Sequence, residues 1–122
     1  MPERAHYQWP FLDDVHRAQA SAMDAWAGEH LSDAHADDVD AACKRLVADL
    51  GRAGWLRYCA GKAWGGAFDS IDTRSLCVSR ETLAWHSGLA DFAFAMQGLG
   101  SGSISLAGTE VPVHPSIIRH FA

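Results

Sequence analysis

The feature that most constrains this chain is an apolar, almost uncharged stretch near its C-terminal end. Between Leu89 and Gly108, Asp91 is the only charged residue. Apolar side chains recur there at helical spacing, which predicts a continuous helix from about Leu89 to Ala107. The residues predicted to share one face of this helix are Leu89, Phe92, Ala93, Met96 and Leu99.

Three glycines alternate with other residues in the second half of this predicted helix: Gly98, Gly100 and Gly102. A glycine inside a helix costs about 1 kcal/mol relative to alanine. Three so close together therefore indicate that another helix or a ligand lies near the backbone, and the spacing alone favours a helix. A phosphate-binding loop is excluded, because no Lys-Ser/Thr pair follows the glycines and no strand precedes them.

Two further helices are predicted in the first half of the chain. The first runs from about Pro10 to Glu29, and the second begins at Asp37 or Asp38 and ends near Gly51. The predicted inward stripe of the first helix is Phe11, Val15, Ala18, Ala22 and Trp26. The predicted inward stripe of the second helix is Val39, Cys43, Leu46, Val47 and Leu50.

A third helix is predicted to begin at Asp72 or Thr73 and to end near His86, with Leu76 and Leu83 facing inward. The segment before it, from Gly54 to Asp72, combines four glycines with four aromatic residues. Such a composition predicts an ordered loop, because the aromatic side chains have to be buried. The fold class is therefore all-α, a bundle of about four main helices with one long glycine- and aromatic-rich loop.

Length and charge restrict the possible functions. A chain of 122 residues has room for one domain. The formal net charge is -5, and the basic residues are scattered, so neither nucleic acid nor a membrane is expected as a partner. Three cysteines without a CxxC motif, and an N-terminus without an apolar signal region, favour a cytoplasmic location.

No catalytic residue and no metal site is predicted from spacing. The seven histidines show no zinc-ligand pattern. Cys77 and His86 lie nine residues apart on one predicted helix, a separation of about 13 Å that prevents direct pairing. The acidic pairs at 13–14 and 37–38 stand at predicted helix starts, where carboxylates favour the helix dipole.

Two segments together resemble the N-terminal helical domain of the acyl-CoA dehydrogenase family. The first, from Leu46 to Ala84, is similar to a family helix that ends in a glycine and an aromatic step, followed by the glycine-pair loop AWGGAF and the next helix. The second, GLADFAFAMQGLGSGSISLAGTE from Gly88 to Glu110, is similar to the family helix that ends in a Leu-Gly step and Gly-Thr-Glu. The order of the segments, the loop lengths and both glycine clusters match.

The resemblance implies a fold and a set of partners. Members of this family have an N-terminal helical domain, a middle β domain and a C-terminal helical domain, and FAD lies between the latter two. A glutamate from the C-terminal region removes a proton from the acyl-CoA, and hydride passes to the flavin. The N-terminal domain forms a wall of the acyl-chain pocket. By resemblance, the wall residues of this chain are Phe94, Ala95, Gly98, Leu99 and Gly102.

The resemblance ends at Glu110, so residues 1–110 are predicted to be the helical domain and residues 111–122 a divergent tail that contains two prolines. These 122 residues include neither a flavin-binding nor a base-bearing segment. The chain alone is therefore expected to be inactive and to bind no FAD. Acyl-CoA is expected to bind only when another chain supplies the missing domains.

Two other functions remain open. One is a non-catalytic helical interaction module, in which the apolar face of the last helix serves for self-association, most simply as a two-fold dimer, or for binding a partner. The tail could also fold back and cover part of this face with Val113, Ile117, Ile118 and Phe121. The other is an unrelated small enzyme that uses a cysteine or a histidine.

Overall fold

The computed structural model describes residues 4–32 and 36–108, and in this part of the chain all regular secondary structure is helical apart from one isolated β-bridge between Gly61 and Phe68. Its four main helices are α1 (Asp14–His30), α2 (Val39–Arg52), α3 (Thr73–His86) and α4 (Gly88–Ala107). Short 3₁₀ helices span Ala5–Gln8, Trp55–Cys59 and Lys62–Trp64. The prediction of an all-α bundle with four main helices is confirmed. No helix in the described ranges is long and apolar enough to cross a membrane.

The helix starts follow from side chains that satisfy free backbone N–H groups. Asp38 accepts a hydrogen bond from the Ala41 N–H at 3.0 Å, and Ser87 accepts one from the Ala90 N–H at 3.2 Å. Asp72 accepts a hydrogen bond from the backbone N–H of Arg74 at the start of α3. The predicted starts at Asp38 and Asp72 are therefore confirmed as caps.

The first helix begins at Asp14 and not at Pro10, and its predicted inward face is wrong except at Trp26, which is half-buried against the core. Phe11 is 69% exposed and Val15 is 48% exposed, and the two alanines of the predicted stripe also face solvent. The residues that are buried are His16, Gln19, Ala20, Met23 and Ala27. The stripe was misplaced because polar side chains that pair with α3 occupy much of the inner face.

The segment before α1 is held in place by contacts with α1 and α3; residues 1–3 lie outside the described ranges. Tyr7 is 4% exposed, and its hydroxyl donates to Glu81 of α3 at 3.2 Å. The guanidinium of Arg4 pairs with Asp24 of α1 at 2.9 Å. Residues 4–8 therefore attach this segment to α1 and to α3.

The core lies where α1, α2, α3, α4 and the loop after α2 meet. Its fully buried residues are Met23, Leu50, Leu56, Cys59, Leu83 and Phe94. Within the predicted α2 stripe, Leu50 is buried, Leu46 is only half-buried and Val39 is 51% exposed. The inward side of α2 was therefore predicted in part, and Leu46 lies at the edge of the core.

The loop between α2 and α3 is ordered by backbone geometry and by stacked rings. Gly54 has a φ of +82°, which suits glycine. A Cβ on Gly66 would lie 1.7 Å from the carbonyl oxygen of Ala60, so only glycine fits there. The rings of Trp55 and Tyr58 stack at 6.3 Å, and Trp55 also packs against the core. The predicted ordered loop is confirmed.

The last helix begins one residue before its predicted start and ends at Ala107 as predicted. The face predicted from the spacing is mostly the outer one, although Ala93 of that set is buried. The buried residues of α4 are Ala90, Ala93, Phe94 and Ser101, whereas Phe92, Met96 and Leu99 are exposed. Because both sides of α4 are apolar, periodicity alone could not identify the inner one. The buried side includes the small residues Ala90, Ala93 and Ser101, which allow the other helices to approach α4.

Candidate functional site

The outer side of α4 carries the largest uncovered apolar side chains of that helix. We call Phe92, Met96, Leu99 and Leu106 the α4 stripe; their exposed fractions are 55%, 45%, 72% and 78%. Exposed apolar side chains occur singly on most soluble proteins, but four along one helix form a continuous surface. This surface is the strongest candidate for a functional site in the described part of the chain.

Hydrogen bonds on the opposite side attach α4 to the loop after α2. The Ser101 hydroxyl donates to the carbonyl oxygen of Cys59 at 2.8 Å, and the Gly61 N–H donates to the Ser105 hydroxyl at 3.4 Å. Near the start of α4, Arg80 of α3 makes a two-fold contact with Asp91, at 2.8 and 3.0 Å. These bonds fix the rotation of the helix about its axis, so the α4 stripe points away from the bundle.

The five wall residues expected from the family resemblance lie on two different sides of α4. Phe94 is fully buried in the core, and a Cβ on Gly98 would lie 3.7 Å from the Cys59 Sγ atom. Leu99 belongs to the α4 stripe, and Ala95 and Gly102 are half-buried at its side. The structure therefore brings three of the five residues to one surface, at helical spacing.

The glycines in the second half of α4 do not serve close packing within the described residues. A Cβ on Gly100 or on Gly102 would meet no atom within 4 Å, and the contact at Gly98 is an ordinary van der Waals distance. The bundle itself therefore does not use the space that Gly100 and Gly102 leave beside the helix. Open space therefore lies beside the helix at Gly100 and at Gly102, on the two flanks of Leu99.

A second concave region of about 540 Å³ lies between the C-terminal end of α1, α2 and the start of α4. Most of its polar side chains are already engaged. Asp49 pairs with Arg52 on its own helix, Ser87 caps α4, and His30 bonds a backbone carbonyl of α1. Arg45 makes no hydrogen bond or ion pair with another described residue. One arginine at an open rim does not define a ligand, so we assign this cleft no site.

Three histidine–carboxylate pairs connect the N-terminal part of the bundle to α3. Asp72 accepts from Nε2 of the buried His16 at 2.5 Å, while His16 Nδ1 accepts the Asp13 N–H at 3.0 Å. The second pair joins His86 to Asp24 at 2.7 Å. In the third pair, His6 lies 3.0 Å from Glu81.

The Asp72 and Asp24 pairs affect titration of the carboxyl groups. Burial raises the pKa of Asp72, but the hydrogen bond from His16 and the Arg74 backbone N–H outweigh it and hold that pKa below its ordinary value. The pKa of Asp24 is lowered in the same way, against burial, by His86 and Arg4. Both carboxylates are therefore ionised at neutral pH and act as fixed acceptors between helices.

Buried hydroxyl and amide groups extend this polar interface along α1 and α3. The Gln19 amide donates to the Ser79 hydroxyl at 2.7 Å and accepts from the Ser75 hydroxyl at 2.8 Å. The sequence reasoning missed this network, although its signal was present. His16, Gln19 and Met23 fall at helical spacing, and so do Asp72, Ser75 and Ser79.

None of these groups is arranged as a nucleophile with a base. Both ring nitrogens of His16 are engaged, and His86 bonds Asp24 through Nε2. Burial raises the pKa of the Cys59 thiol to about 12, so this thiol is protonated at neutral pH. Among the residues described, no three His, Cys, Asp or Glu side chains converge on a possible metal position.

Comparisons of the chain with protein-family models and with curated proteins both found no match.

Proposed function

We propose that these residues form the N-terminal helical domain of an acyl-CoA dehydrogenase-type flavoprotein, with the outer side of α4 as one wall of the acyl-chain site. The observation that carries the proposal is the exposed α4 stripe beside the open space at Gly102. An apolar wall beside open space suits an alkyl chain, which needs desolvated contact area and no polar partner. The helical bundle and its ordered glycine- and aromatic-rich loop agree with the resemblance.

The wall provides only one part of the family reaction. Removal of the α-proton and transfer of hydride require a base, a flavin and the thioester to be held together. The outer side of α4 offers no such base, because no histidine or carboxylate lies between Phe92 and Gly108. We therefore expect FAD and the catalytic glutamate to come from other segments or another chain, and acyl-CoA to bind only in that complete assembly.

The state of the three cysteines supports a reducing compartment such as the cytoplasm. Cys43, Cys59 and Cys77 are all free thiols, and they differ in exposure from buried to exposed. Free thiols are common in reducing compartments and uncommon in small secreted domains, which use cysteines as disulfides.

A complementation experiment tests the proposal. The full chain is expressed together with the β and C-terminal domains of an acyl-CoA dehydrogenase whose own helical domain has been deleted, and those domains carry an affinity tag. We expect the chain to co-purify with the tagged domains and bound FAD. Addition of an acyl-CoA of short, medium or long chain length is then expected to bleach the flavin absorption.

Two controls make the outcome decisive. The enzyme's own helical domain, supplied as a separate chain, shows that complementation is possible. The variant Leu99→Asp is expected to lose complementation, since it places a charge in the wall. If the enzyme's own domain restores flavin reduction and the folded chain does not associate at all, the proposal is wrong.

A second function, the non-catalytic interaction module, is favoured by the same stripe. The stripe is apolar along its whole length and lacks any charged group that would select a particular small ligand. In that case α4 serves only to bind another polypeptide. The complementation experiment separates the two functions, because an interaction module binds protein without supporting flavin reduction.

A further inference from the structure

Positive charge is concentrated in one stretch of this chain. Between residues 41 and 68 the sequence has five basic residues but a single acidic one, Asp49. The whole chain has a formal net charge of -5, so the remaining residues together are strongly acidic. Most of α2 and the loop after it therefore form a positive region in an acidic protein, and such a region attracts negatively charged partners.

The fold uses the arginines outside this region for its own ion pairs. Each described arginine outside residues 41–68 pairs with an aspartate: Arg4, Arg17, Arg74 and Arg80. In contrast, the side chains of Lys44, Arg45 and Arg57 make no hydrogen bond or ion pair with another described residue. Their charge is therefore available to a second molecule.

Three cations share the exposed side of α2. Lys44 and Arg45 are exposed, and the side chain of Arg52 is 74% exposed. At about 100° per residue, these three positions fall within an arc of roughly 100°, and the exposed Ala48 lies inside that arc, between Lys44 and Arg52. The buried residues of α2 lie on the opposite side of the helix. We call Lys44, Arg45, Ala48 and Arg52 the α2 basic face.

We propose that the α2 basic face docks an acidic helical segment of a partner protein. Lys44 and Arg52 are eight residues apart, so carboxylates eight residues apart on a helix that lies along α2 stand opposite them. The small side chain of Ala48 leaves room for the partner helix between these two ion pairs. Charged pairs that flank two packed helices determine which partner binds and in which direction. This surface is separate from the α4 stripe, so the inference goes beyond the proposed function and does not depend on it.

The size of the face favours an acidic helix over a nucleic acid. Lys44 and Arg52 are about 12 Å apart along the axis of α2, and Asp40 and Asp49 limit the positive area. Three cations neutralise few phosphates, whereas roughly six to ten phosphate contacts are typical of strongly salt-dependent DNA binding. The α2 basic face also has no aromatic side chain on which a base could stack. The net charge of the chain opposes the approach of a long polyanion.

Amide chemical shifts of the full, ¹⁵N-labelled chain test this docking residue by residue. The probe is an alanine-based helical peptide with glutamate at every fourth position, and the control peptide has glutamine at those positions. We expect the glutamate peptide to shift amides between Lys44 and Arg52, and the glutamine peptide to leave them unchanged. Because the contacts are exposed ion pairs, an increase in salt from about 50 to about 200 mM should weaken binding severalfold.

A triple variant tests whether the three cations carry the binding. Lys44→Gln, Arg45→Gln and Arg52→Gln together should raise the dissociation constant of the glutamate peptide by about tenfold or more, because they remove all three ion pairs. The three side chains are exposed, so the helical circular dichroism should not change.

The matched control places the same change of net charge on another helix. Ala18→Glu, Ala22→Glu and Ala25→Glu lie on the exposed side of α1, and this variant should keep most of the affinity. If the glutamate peptide shifts no amide of α2, or if the control variant loses as much affinity as the triple glutamine variant, the proposal is wrong. Tighter binding of single-stranded DNA than of the peptide through the same three side chains would also overturn it, in favour of a nucleic-acid site.

Discussion

The α1–α3 interface and the α4 stripe use opposite chemistry. At the first, buried side chains such as His16 and Gln19 form hydrogen bonds of defined length with α3. At the second, large apolar side chains are exposed and have no hydrogen-bond requirement. A polar interface is satisfied by only one arrangement of donors and acceptors, whereas an apolar surface can be covered by different partners. The comparison teaches that polar contacts fix how α1 docks on α3, beside an apolar core, whereas the α4 stripe leaves apolar area exposed.

The largest effect is expected from two phenylalanines that are two residues apart on α4. Phe94 is fully buried, and Phe92 is 55% exposed. Phe94→Ala should lower the free energy of unfolding by about 3–5 kcal/mol, because it leaves a cavity in the core. Phe92→Ala should lower it by less than about 1 kcal/mol in dilute, monomeric protein. Urea denaturation of both variants checks the assignment, and equal losses would mean that the two sides of α4 have been confused.

The next largest loss in the free energy of unfolding is expected at the polar α1–α3 interface. His16→Ala should lower the free energy of unfolding by about 2–3 kcal/mol, since it leaves the Asp13 N–H and the Asp72 carboxylate without their partner. The exposed His30 bonds only a backbone carbonyl of its own helix, and His30→Ala serves as the control with a loss below about 1 kcal/mol. A loss for His16→Ala no greater than that control would show that the pairs across the interface contribute little.

Acid should weaken the α1–α3 interface and leave the α4 stripe unchanged. The pKa values of Asp72 and Asp24 are lowered in the folded chain, so their stabilising effect is present above the unfolded value of 3.8 and is lost as pH falls through the folded values. Thermal melting from pH 7 to pH 2 should show this loss below about pH 4. Asp72→Asn should reduce the pH dependence in that window, and an unchanged pH dependence would contradict the assignment.

The smallest effect is expected at a glycine beside the stripe. Gly100→Ala should raise the free energy of unfolding by about 0.5–1 kcal/mol, because a Cβ there meets no atom and alanine favours the helix. Gly66→Ala is the opposite case, since its Cβ would overlap the Ala60 carbonyl oxygen, and it should destabilise the loop. If Gly100→Ala destabilises the chain instead, another segment fills the space beside α4.

Much of the fold could be predicted from the sequence, because caps and breaks are local signals. Asp38 and Asp72 mark helix starts through their own hydrogen bonds to nearby N–H groups. Which side of a helix is buried is not local. On α1 the inner side includes His16 and Gln19, so a count of apolar residues selected the wrong side.

On α4 both sides are apolar, and only contacts with Cys59 and α3 decide between them. The candidate site was predicted less well for the same reason. Leu99, Ala95 and Gly102 were expected at a surface and lie there, but the sequence could not show that Phe94 and Gly98 face inward.

The α1–α3 interface also sets a time order for folding during synthesis. Its side-chain hydrogen bonds join residues that are far apart in the chain, by 60 residues for Gln19 and Ser79 and by 74 for Tyr7 and Glu81. At translation rates of about 5–20 residues per second, α1 is complete several seconds before α3 emerges from the ribosome. During that interval the polar groups of the inner face of α1, such as His16 and Gln19, have water as their partner. α1 can therefore pack against α3 only after α3 has been synthesised. Closing the long stretch of chain between the two helices is expected to be the slow step of folding, because topology limits its rate.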